Sequence, residues 1–198
     1  MERKRLNMLI GYFAIAIIIF AYCGCRQAQQ TRPQEENDSR VAVASMHYSR
    51  GNAYLDANDL DSAISEYNKA IELDPNSADA YANRGLVYFK RSLFDQAILD
   101  FTAAIAIDPK DALVYNNRGL AFAQKKLFDL AIADYNKAAE LNPQEAEFYY
   151  NLAVAYYYKK DYENSWRYIN KAEVSGYKDT TGLRQWLENA LAGGRKQR

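Results

Sequence analysis

The chain has 198 residues, of which 49% are hydrophobic and 25% are charged, and its 25 basic and 25 acidic side chains give a formal net charge of zero. This length allows one domain with additional segments. The charge balance argues against a protein that holds nucleic acid electrostatically, because such proteins present a strongly basic surface.

The start of the chain has the order of an export signal or a membrane anchor. Basic residues at positions 3–5 precede an uncharged run from Met8 to Gly24 that is rich in isoleucine. The run of about 17 residues is at the lower limit for a membrane-spanning helix, so its length leaves both cleavage and retention open. The predicted signal or anchor segment therefore spans residues 1–25.

Both cysteines of the chain, Cys23 and Cys25, stand at the end of this run, so the remainder cannot form a disulfide. Basic residues, an apolar run and a small residue before a cysteine resemble a bacterial lipoprotein signal. The resemblance implies that the thiol of Cys25 carries the lipid. An uncleaved anchor and a cleaved, secreted form are the alternatives. With a lipid or an anchor, the basic start favours a domain outside the cytoplasm, in the bacterial periplasm or at the cell surface.

Residues 26–40 are expected to form a flexible polar linker. They contain a single apolar residue, Ala28, and cannot bury enough surface to order themselves. A linker of about 15 residues would hold the following domain roughly 20 Å from the membrane.

A 34-residue unit then occurs four times without gaps, over residues 44–77, 78–111, 112–145 and 146–179. Small residues and proline mark equivalent places in the copies: Gly51, Gly85, Gly119 and then Ala153; Ala63, Ala97, Ala131 and then Ser165; Pro75, Pro109 and Pro143. The fourth copy departs from the pattern at all three places. It is therefore predicted to be an end unit, which residues of about 181–191 cover as a final helix.

Apolar residues within each copy recur three, four and seven places apart, which is typical of helices. Each copy accommodates two helices, with breaks near 58–61, 92–95, 126–129 and 161–163, where a carboxylate favours the start of the second helix. Ser77 and Asp111 are predicted to cap the first helices that follow them. A mid-helix glycine costs about 1 kcal/mol relative to alanine, so close approach of the neighbouring helix at the alanine places is expected to compensate.

The runs YANRGLVYFKRSLFDQAILDFTAAIAIDP and YNNRGLAFAQKKLFDLAIADYNKAAELNP resemble the tetratricopeptide repeat family. The resemblance covers Ala44 to about Asp179. It implies an all-α fold, a right-handed superhelical solenoid of four helix pairs with a concave groove lined by the first helices. We therefore expect a repeat domain over residues 41–192 with a C-terminal capping helix, followed by a basic tail at 193–198.

Ion pairs are predicted between the two helices of a copy, because an arginine before the glycine has an acid at a fixed distance along the chain. The pairs are Arg50 with Glu66, Arg84 with Asp100, and Arg118 with Asp134. In the fourth copy Leu152 and Tyr168 occupy these places, which indicates that an apolar contact replaces the ion pair there.

The sequence gives no pattern for an enzyme, a metal or a cofactor. The only histidine, His47, has no second histidine or cysteine beside it in the repeats, and it is expected to pack as an aromatic residue where later copies have tyrosine. No phosphate loop or dinucleotide fingerprint is present, and no small-molecule substrate is expected.

Family geometry implies that certain places of each first helix face the concave groove. The predicted groove residues are Tyr48, Asn52, Asn83, Leu86, Phe89, Asn117, Leu120, Tyr150, Asn151 and Tyr157. Three of them, Asn83, Asn117 and Asn151, continue a ladder that begins at Ser49 and could bind the backbone of an extended peptide. The alternative is that these amides only bridge adjacent helices.

The chaperone-associated subgroup of the family clamps a terminal carboxylate with basic residues and two asparagines. Asn52 and Asn83 match the asparagines, but Tyr48, Leu113 and Asn117 stand at the basic places. A two-carboxylate clamp is therefore not expected.

The sequence thus favours a membrane-tethered, extracytoplasmic scaffold that binds a protein or peptide in its groove. The alternative is a structural subunit that associates through convex or end surfaces while the groove stays unused.

Overall fold

The computed structural model describes residues 37–195. The predicted signal, Cys25 and most of the predicted linker lie outside this part of the chain. Residues 37–195 form nine helices: α1 over residues 37–56, α2 Leu60–Leu73, α3 Ala78–Lys90, α4 Phe94–Ile107, α5 Ala112–Gln124, α6 Phe128–Leu141, α7 Ala146–Tyr158, α8 Tyr162–Val174 and α9 Thr181–Arg195. None of the helices in this part is long and apolar enough to cross a membrane.

The helices form four antiparallel pairs in chain order, followed by the single helix α9, which confirms the predicted all-helical solenoid. The helices α3, α5 and α7 begin at Ala78, Ala112 and Ala146, where the sequence copies begin. Ser77 and Asp111 cap α3 and α5 as predicted, because their side chains accept hydrogen bonds from backbone amides of the first turn.

Two predicted boundaries differ from the structure. Residues 37–40 belong to α1 and not to the linker, and the Arg40 guanidinium donates a hydrogen bond to the Leu73 carbonyl at the end of α2 (3.4 Å). The final helix, expected to end near residue 191, continues to Arg195 and so includes the start of the predicted basic tail.

The turn inside each pair uses one residue with a positive φ, namely Asn58, Ser92, Lys126 and Lys160. Asp59 and Asp161 cap the second helices that follow them, as the sequence predicted. Leu93 and Leu127 precede α4 and α6 without a side-chain cap, but Asp95 and Asp129 lie in the first turns of these helices, where a carboxylate is favoured by the helix dipole as predicted.

The carboxylates of these first turns also connect neighbouring repeats. Asp61 accepts a hydrogen bond from Arg91 of the second repeat (2.6 Å). Equivalent pairs join Asp95 to Lys125 and Asp129 to Lys159. These pairs are exposed and contribute little stability individually, about 0 to 1 kcal/mol each.

The mid-helix glycines make room for an aromatic ring of the second helix in the same pair. A methyl group added at Gly51 would lie 2.5 Å from the Tyr67 ring, and at Gly119 it would lie 2.6 Å from the Tyr135 ring. The nearest atoms to these glycines thus belong to aromatic rings and not to the alanine places, where the close approach of the two helices was expected. The fourth pair has Ala153 beside the smaller side chain of Ile169, and both are fully buried.

Two of the predicted ion pairs are present with bidentate geometry. Arg84 donates from Nε and Nη2 to the Asp100 carboxylate, with both distances 2.7 Å. Arg118 donates to Asp134 in the same way, at 2.7 and 2.8 Å. The hydrogen bonds that Arg84 donates to Asp100 raise the pKa of Arg84, against the opposing effect of burial.

The predicted pair of Arg50 with Glu66 is wrong. Lys69 donates to Glu66 Oε1 (2.6 Å), and His47 Nδ1 lies 2.7 Å from Glu66 Oε2, so both carboxylate oxygens already have partners. Arg50 is exposed. His47 therefore acts as a hydrogen-bonding partner of α2 and not only as a packed aromatic ring.

The end of the solenoid is closed as the sequence predicted. Leu183 and Leu187 of α9 are buried against Ala153 and Ile169 of the fourth pair. In the same pair, Leu152 is fully buried and Tyr168 packs on the cluster that contains it. This is the apolar contact that was predicted in place of the ion pair.

Candidate functional site

The first helices form one wall of the solenoid. Each helix pair packs within itself and against the next pair, and α3 also contacts α5, as α5 contacts α7. Contact between successive first helices places them on the inner side of the curve. The concave groove is therefore the surface that α1, α3, α5 and α7 present together.

All ten predicted groove residues lie on these first helices and retain partial solvent access. Tyr48 and Asn52 belong to α1; Asn83, Leu86 and Phe89 to α3; Asn117 and Leu120 to α5; Tyr150, Asn151 and Tyr157 to α7. Some of them are engaged with neighbouring helices, and two of them, Leu120 and Asn151, line an open pocket.

The predicted amide ladder does not act as one unit. Asn83 Nδ2 donates to the Tyr48 hydroxyl (3.0 Å) and to Asn52 Oδ1 (2.9 Å), and the Tyr67 hydroxyl donates to the same oxygen (2.7 Å). This network joins the first and second repeats. It is the bridging role that the sequence left as the alternative.

Asn151 also bridges repeats, because its Nδ2 donates to Oδ1 of the buried Asn116 (2.9 Å). Asn117 differs from both. Within residues 37–195 no side-chain hydrogen bond involves Asn117, since the preceding copy has Ala82 and Leu86 where its neighbours have polar partners. Asn117 is thus the ladder residue whose whole amide group is available to an external partner.

A pocket of about 530 Å³ opens between the third and fourth repeats, and we call it the Ala123 pocket. It is lined by Leu120, Ala123, Gln124, Lys126, Phe128, Tyr135, Asn151, Val154, Ala155 and Tyr158. Its volume lies within the range of about 300 to 1,000 Å³ of ligand sites in proteins. Leu120 and Asn151 are the two predicted groove residues among its walls.

Aromatic rings form one edge of the Ala123 pocket. Phe128 and Tyr158 stack with nearly parallel planes and centroids 5.3 Å apart, and Tyr158 is 54% exposed. Tyr157 lies edge-on to Tyr158 and contacts Trp186 of α9, with centroids 5.8 Å apart. Tyr157 therefore packs on the capping helix, while Tyr158 remains accessible.

The pocket has one charged wall residue, the exposed Lys126, and no carboxylate. A second pocket of about 250 Å³ near the first repeat has the opposite character, because Asp74 and Asp79 line it without a basic residue. Within residues 37–195 no group of three or more histidine, cysteine, aspartate or glutamate side chains could hold a metal ion.

Family models match most of the repeat region. A model described as TPR repeat covers residues 51–92, the tetratricopeptide repeat model covers 78–111 and 112–145, and a further tetratricopeptide repeat model covers 146–173. The chain belongs to the tetratricopeptide repeat family. Proteins of this family are scaffolds for protein–protein interactions.

Solved structures of the same fold include MamA residues 41 to end from Desulfovibrio magneticus RS-1, at 25% identity and a TM-score of 0.64, over 67% of this chain and 75% of that one. The first repeat domain of Spaghetti (RPAP3), bound to the HSP90 peptide SRMEEVD, matches at 28% identity and a TM-score of 0.57, over 58% and 91% of the two chains. Pseudomonas aeruginosa pilF matches at 23% identity and a TM-score of 0.67, over 80% and 72%. No curated protein matches the sequence significantly.

Proposed function

We propose that this protein is a membrane-tethered, extracytoplasmic scaffold without catalytic activity, which binds a peptide or protein partner in its concave groove. The observation that carries the binding role is the accessible inner wall of first helices, where Asn117 has an unused amide one helical turn before Leu120 of the Ala123 pocket. Apolar and aromatic surface next to hydrogen-bonding amides is typical of protein-recognition sites.

The RPAP3 domain of the same fold binds an HSP90 peptide, which supports a peptide as the partner. The mode of binding would differ in this chain. Asn52 and Asn83 are hydrogen-bonded to each other, and Tyr48 supplies a hydroxyl where a carboxylate clamp needs a cation. We therefore propose recognition of side chains and backbone along the groove and not of a terminal carboxylate.

Site-specific cross-linking tests the binding site in cells of the native organism. A photo-reactive residue at position 117 should cross-link a discrete partner protein. The matched control carries the same residue at position 99, because Leu99 is 70% exposed on the second helix α4, outside the groove. Cross-linking of the same partner from position 99 and not from position 117 would contradict the proposal.

The membrane tether is proposed from the sequence between Met8 and Cys25. A lipidated protein should have an amino-terminal fragment whose mass includes acyl chains on Cys25, and Cys25→Ser should abolish this modification. An uncleaved anchor would give the unmodified amino terminus with continued membrane association, and would support the tether without the lipid. Complete release into the soluble fraction would contradict both forms.

Self-association is the second candidate function. It is favoured by large apolar side chains on second helices, since Leu99 is 70% and Val174 is 90% exposed. Single exposed apolar residues are common on monomeric proteins, however, so this observation is the weaker one. Light scattering during size exclusion distinguishes the two: a defined oligomer that Val174→Glu dissociates would favour the structural subunit.

A further inference from the structure

We propose that the Ala123 pocket binds an aromatic side chain of the partner that has a carboxylate next to it in the partner's sequence. This inference rests on the proposed function, because it assigns the chemistry of the peptide that the groove accepts. The third repeat lacks a large side chain that the other copies have at the position of Ala123.

The third repeat has a small residue at a place where the other copies have large ones. Ala123 is equivalent to Leu55, Phe89 and Tyr157 in the first, second and fourth copies. In the second repeat, Phe89 lies edge-on to Phe94, with ring centroids 5.5 Å apart. Phe128 is the equivalent of Phe94, and the ring that would meet it from its own repeat is missing.

The walls of the resulting space suit an aromatic ring. Phe128 and Tyr158 form one side, the ring of the buried Tyr135 contributes to the lining, and Leu120 and Val154 add aliphatic surface. Aromatic pairs favour edge-to-face or offset contacts of the kind that Phe89 makes with Phe94. A ring supplied by the partner would therefore repeat a contact that the second repeat makes internally.

The charge of the pocket determines which partner residue is favoured next to that ring. Lys126 is the charged residue of the lining, and its neighbour Lys125 is already paired with Asp95. Within residues 37–195 Lys126 pairs with no carboxylate. A partner carboxylate beside the ring would complement it, whereas a basic residue would be repelled.

The amides of Asn151 and Gln124 also line the pocket, and Asn117 lies on the same helix as Gln124. Asn151 donates through Nδ2 to Asn116, which leaves its carbonyl oxygen for an incoming amide. The site thus offers an aromatic slot, a cation and amide partners for peptide backbone.

Nuclear magnetic resonance of the isotope-labelled full-length chain tests the proposal with three capped peptides. The first is Gly-Ser-Glu-Trp-Glu-Ser-Gly, the second replaces both Glu by Lys, and the third replaces Trp by Ala. We expect saturable shifts of the Ala123, Val154 and Tyr158 amide signals with the first peptide. The other two should bind at least about tenfold more weakly.

Two variants make the test specific to the pocket. Ala123→Phe copies the second repeat and should fill the slot, so that the first peptide loses its effect while thermal unfolding is unchanged. Lys126→Glu should invert the preference between the Glu and Lys peptides. If Ala123→Phe disturbs the fold, Lys126→Glu still tests the charge preference of the pocket.

Equal binding of the Glu and Lys peptides, or undiminished binding to a folded Ala123→Phe variant, would overturn the pocket assignment. Absence of saturable shifts at Ala123 with the first peptide would also overturn it. Such results would leave the groove function standing if position 117 still cross-links the partner. Failure of cross-linking at position 117 instead contradicts the groove function itself.

Discussion

Gly85 lies against the ring of Phe101 from the second helix of the same repeat, so closely that an added methyl group would be 2.8 Å from a ring carbon. The first and third repeats have the same arrangement with tyrosine rings. In the fourth repeat, Ala153 faces Ile169. The size of the residue on one helix is thus matched to the size of the side chain on the other.

Gly85→Ala should therefore destabilise the protein by about 1 to 3 kcal/mol, in spite of the better helix propensity of alanine, because the added methyl group overpacks the ring. Combining it with Phe101→Ile copies the fourth repeat. Urea unfolding should show that the double variant is more stable than the sum of the single changes predicts. Strict additivity would show that the two sites do not constrain each other.

Removal of Asp134 should be costly because it leaves the guanidinium of Arg118 without its partner. The Arg118 side chain is 17% exposed, so we expect a loss of about 3 kcal/mol for Asp134→Ala, at the lower end of values for broken buried pairs. Arg50→Ala is the matched control and should change stability by less than about 0.5 kcal/mol. Both values come from equilibrium unfolding in denaturant.

The fourth repeat suggests a rescue for this pair. Arg118→Leu combined with Asp134→Tyr copies Leu152 and Tyr168, and the double variant should be more stable than Asp134→Ala alone. A loss of stability as large as that of Asp134→Ala would show that replacing the ion pair by Leu and Tyr depends on other features of the fourth repeat.

Docking of α9 should weaken at acidic pH. Hydrogen bonds from Arg184 and Thr180 lower the pKa of Glu173 from 4.5 to about 2. A carboxyl whose folded pKa is depressed stabilises the folded state above its unfolded pKa, and this contribution is lost as the pH falls from about 4.5 towards about 2. Tryptophan fluorescence can follow the change, because Trp166 lies 4.9 Å from the Arg184 guanidinium.

Glu173→Gln should lose less stability than the unmodified chain across that pH range. Glu163→Gln, which changes an exposed glutamate in the first turn of the same helix, is the control and should behave like the unmodified chain. Identical acid dependence in all three proteins would show that Glu173 does not contribute to the docking of α9.

Two asparagines of the groove should differ in role, because Asn83 contributes to folding and Asn117 to partner binding. Asn83→Ala removes the hydrogen bonds to Tyr48 and Asn52 and should cost about 1 to 2 kcal/mol of folding free energy. Asn117→Ala should change stability by less than about 0.5 kcal/mol and yet weaken partner binding. The two effects are measured by urea unfolding and by titration with the partner identified through cross-linking at position 117.

The repeat period predicted much of the fold, because equivalent places face equivalent neighbours. It predicted the ion pair of Arg118 with Asp134 and the helix starts at Ala78 and Ala112. The ring behind each glycine was not predicted, since periodicity identifies a buried place without identifying which side chain fills it. Only the geometry shows that Phe101, and not an alanine, requires Gly85.

The candidate site was less predictable because it depends on departures from the period. The partner of Asn83 lies in the preceding repeat, where the equivalent residues differ from copy to copy. The pocket arises at Ala123, where one copy lacks a large side chain. Comparing that place across the copies would have given a signal, but the depth of the pocket also requires Phe128 and Tyr158.

The exposed pairs that connect the repeats, such as Asp61 with Arg91 and Asp95 with Lys125, each span only two adjacent units. No contact of this kind specifies how many units the protein must have. An in-frame duplication of one 34-residue unit would present the same partners on both sides of the insertion. The length of the concave groove can therefore change during evolution by whole units, while the amino-terminal segment and the capping helix α9 stay as they are.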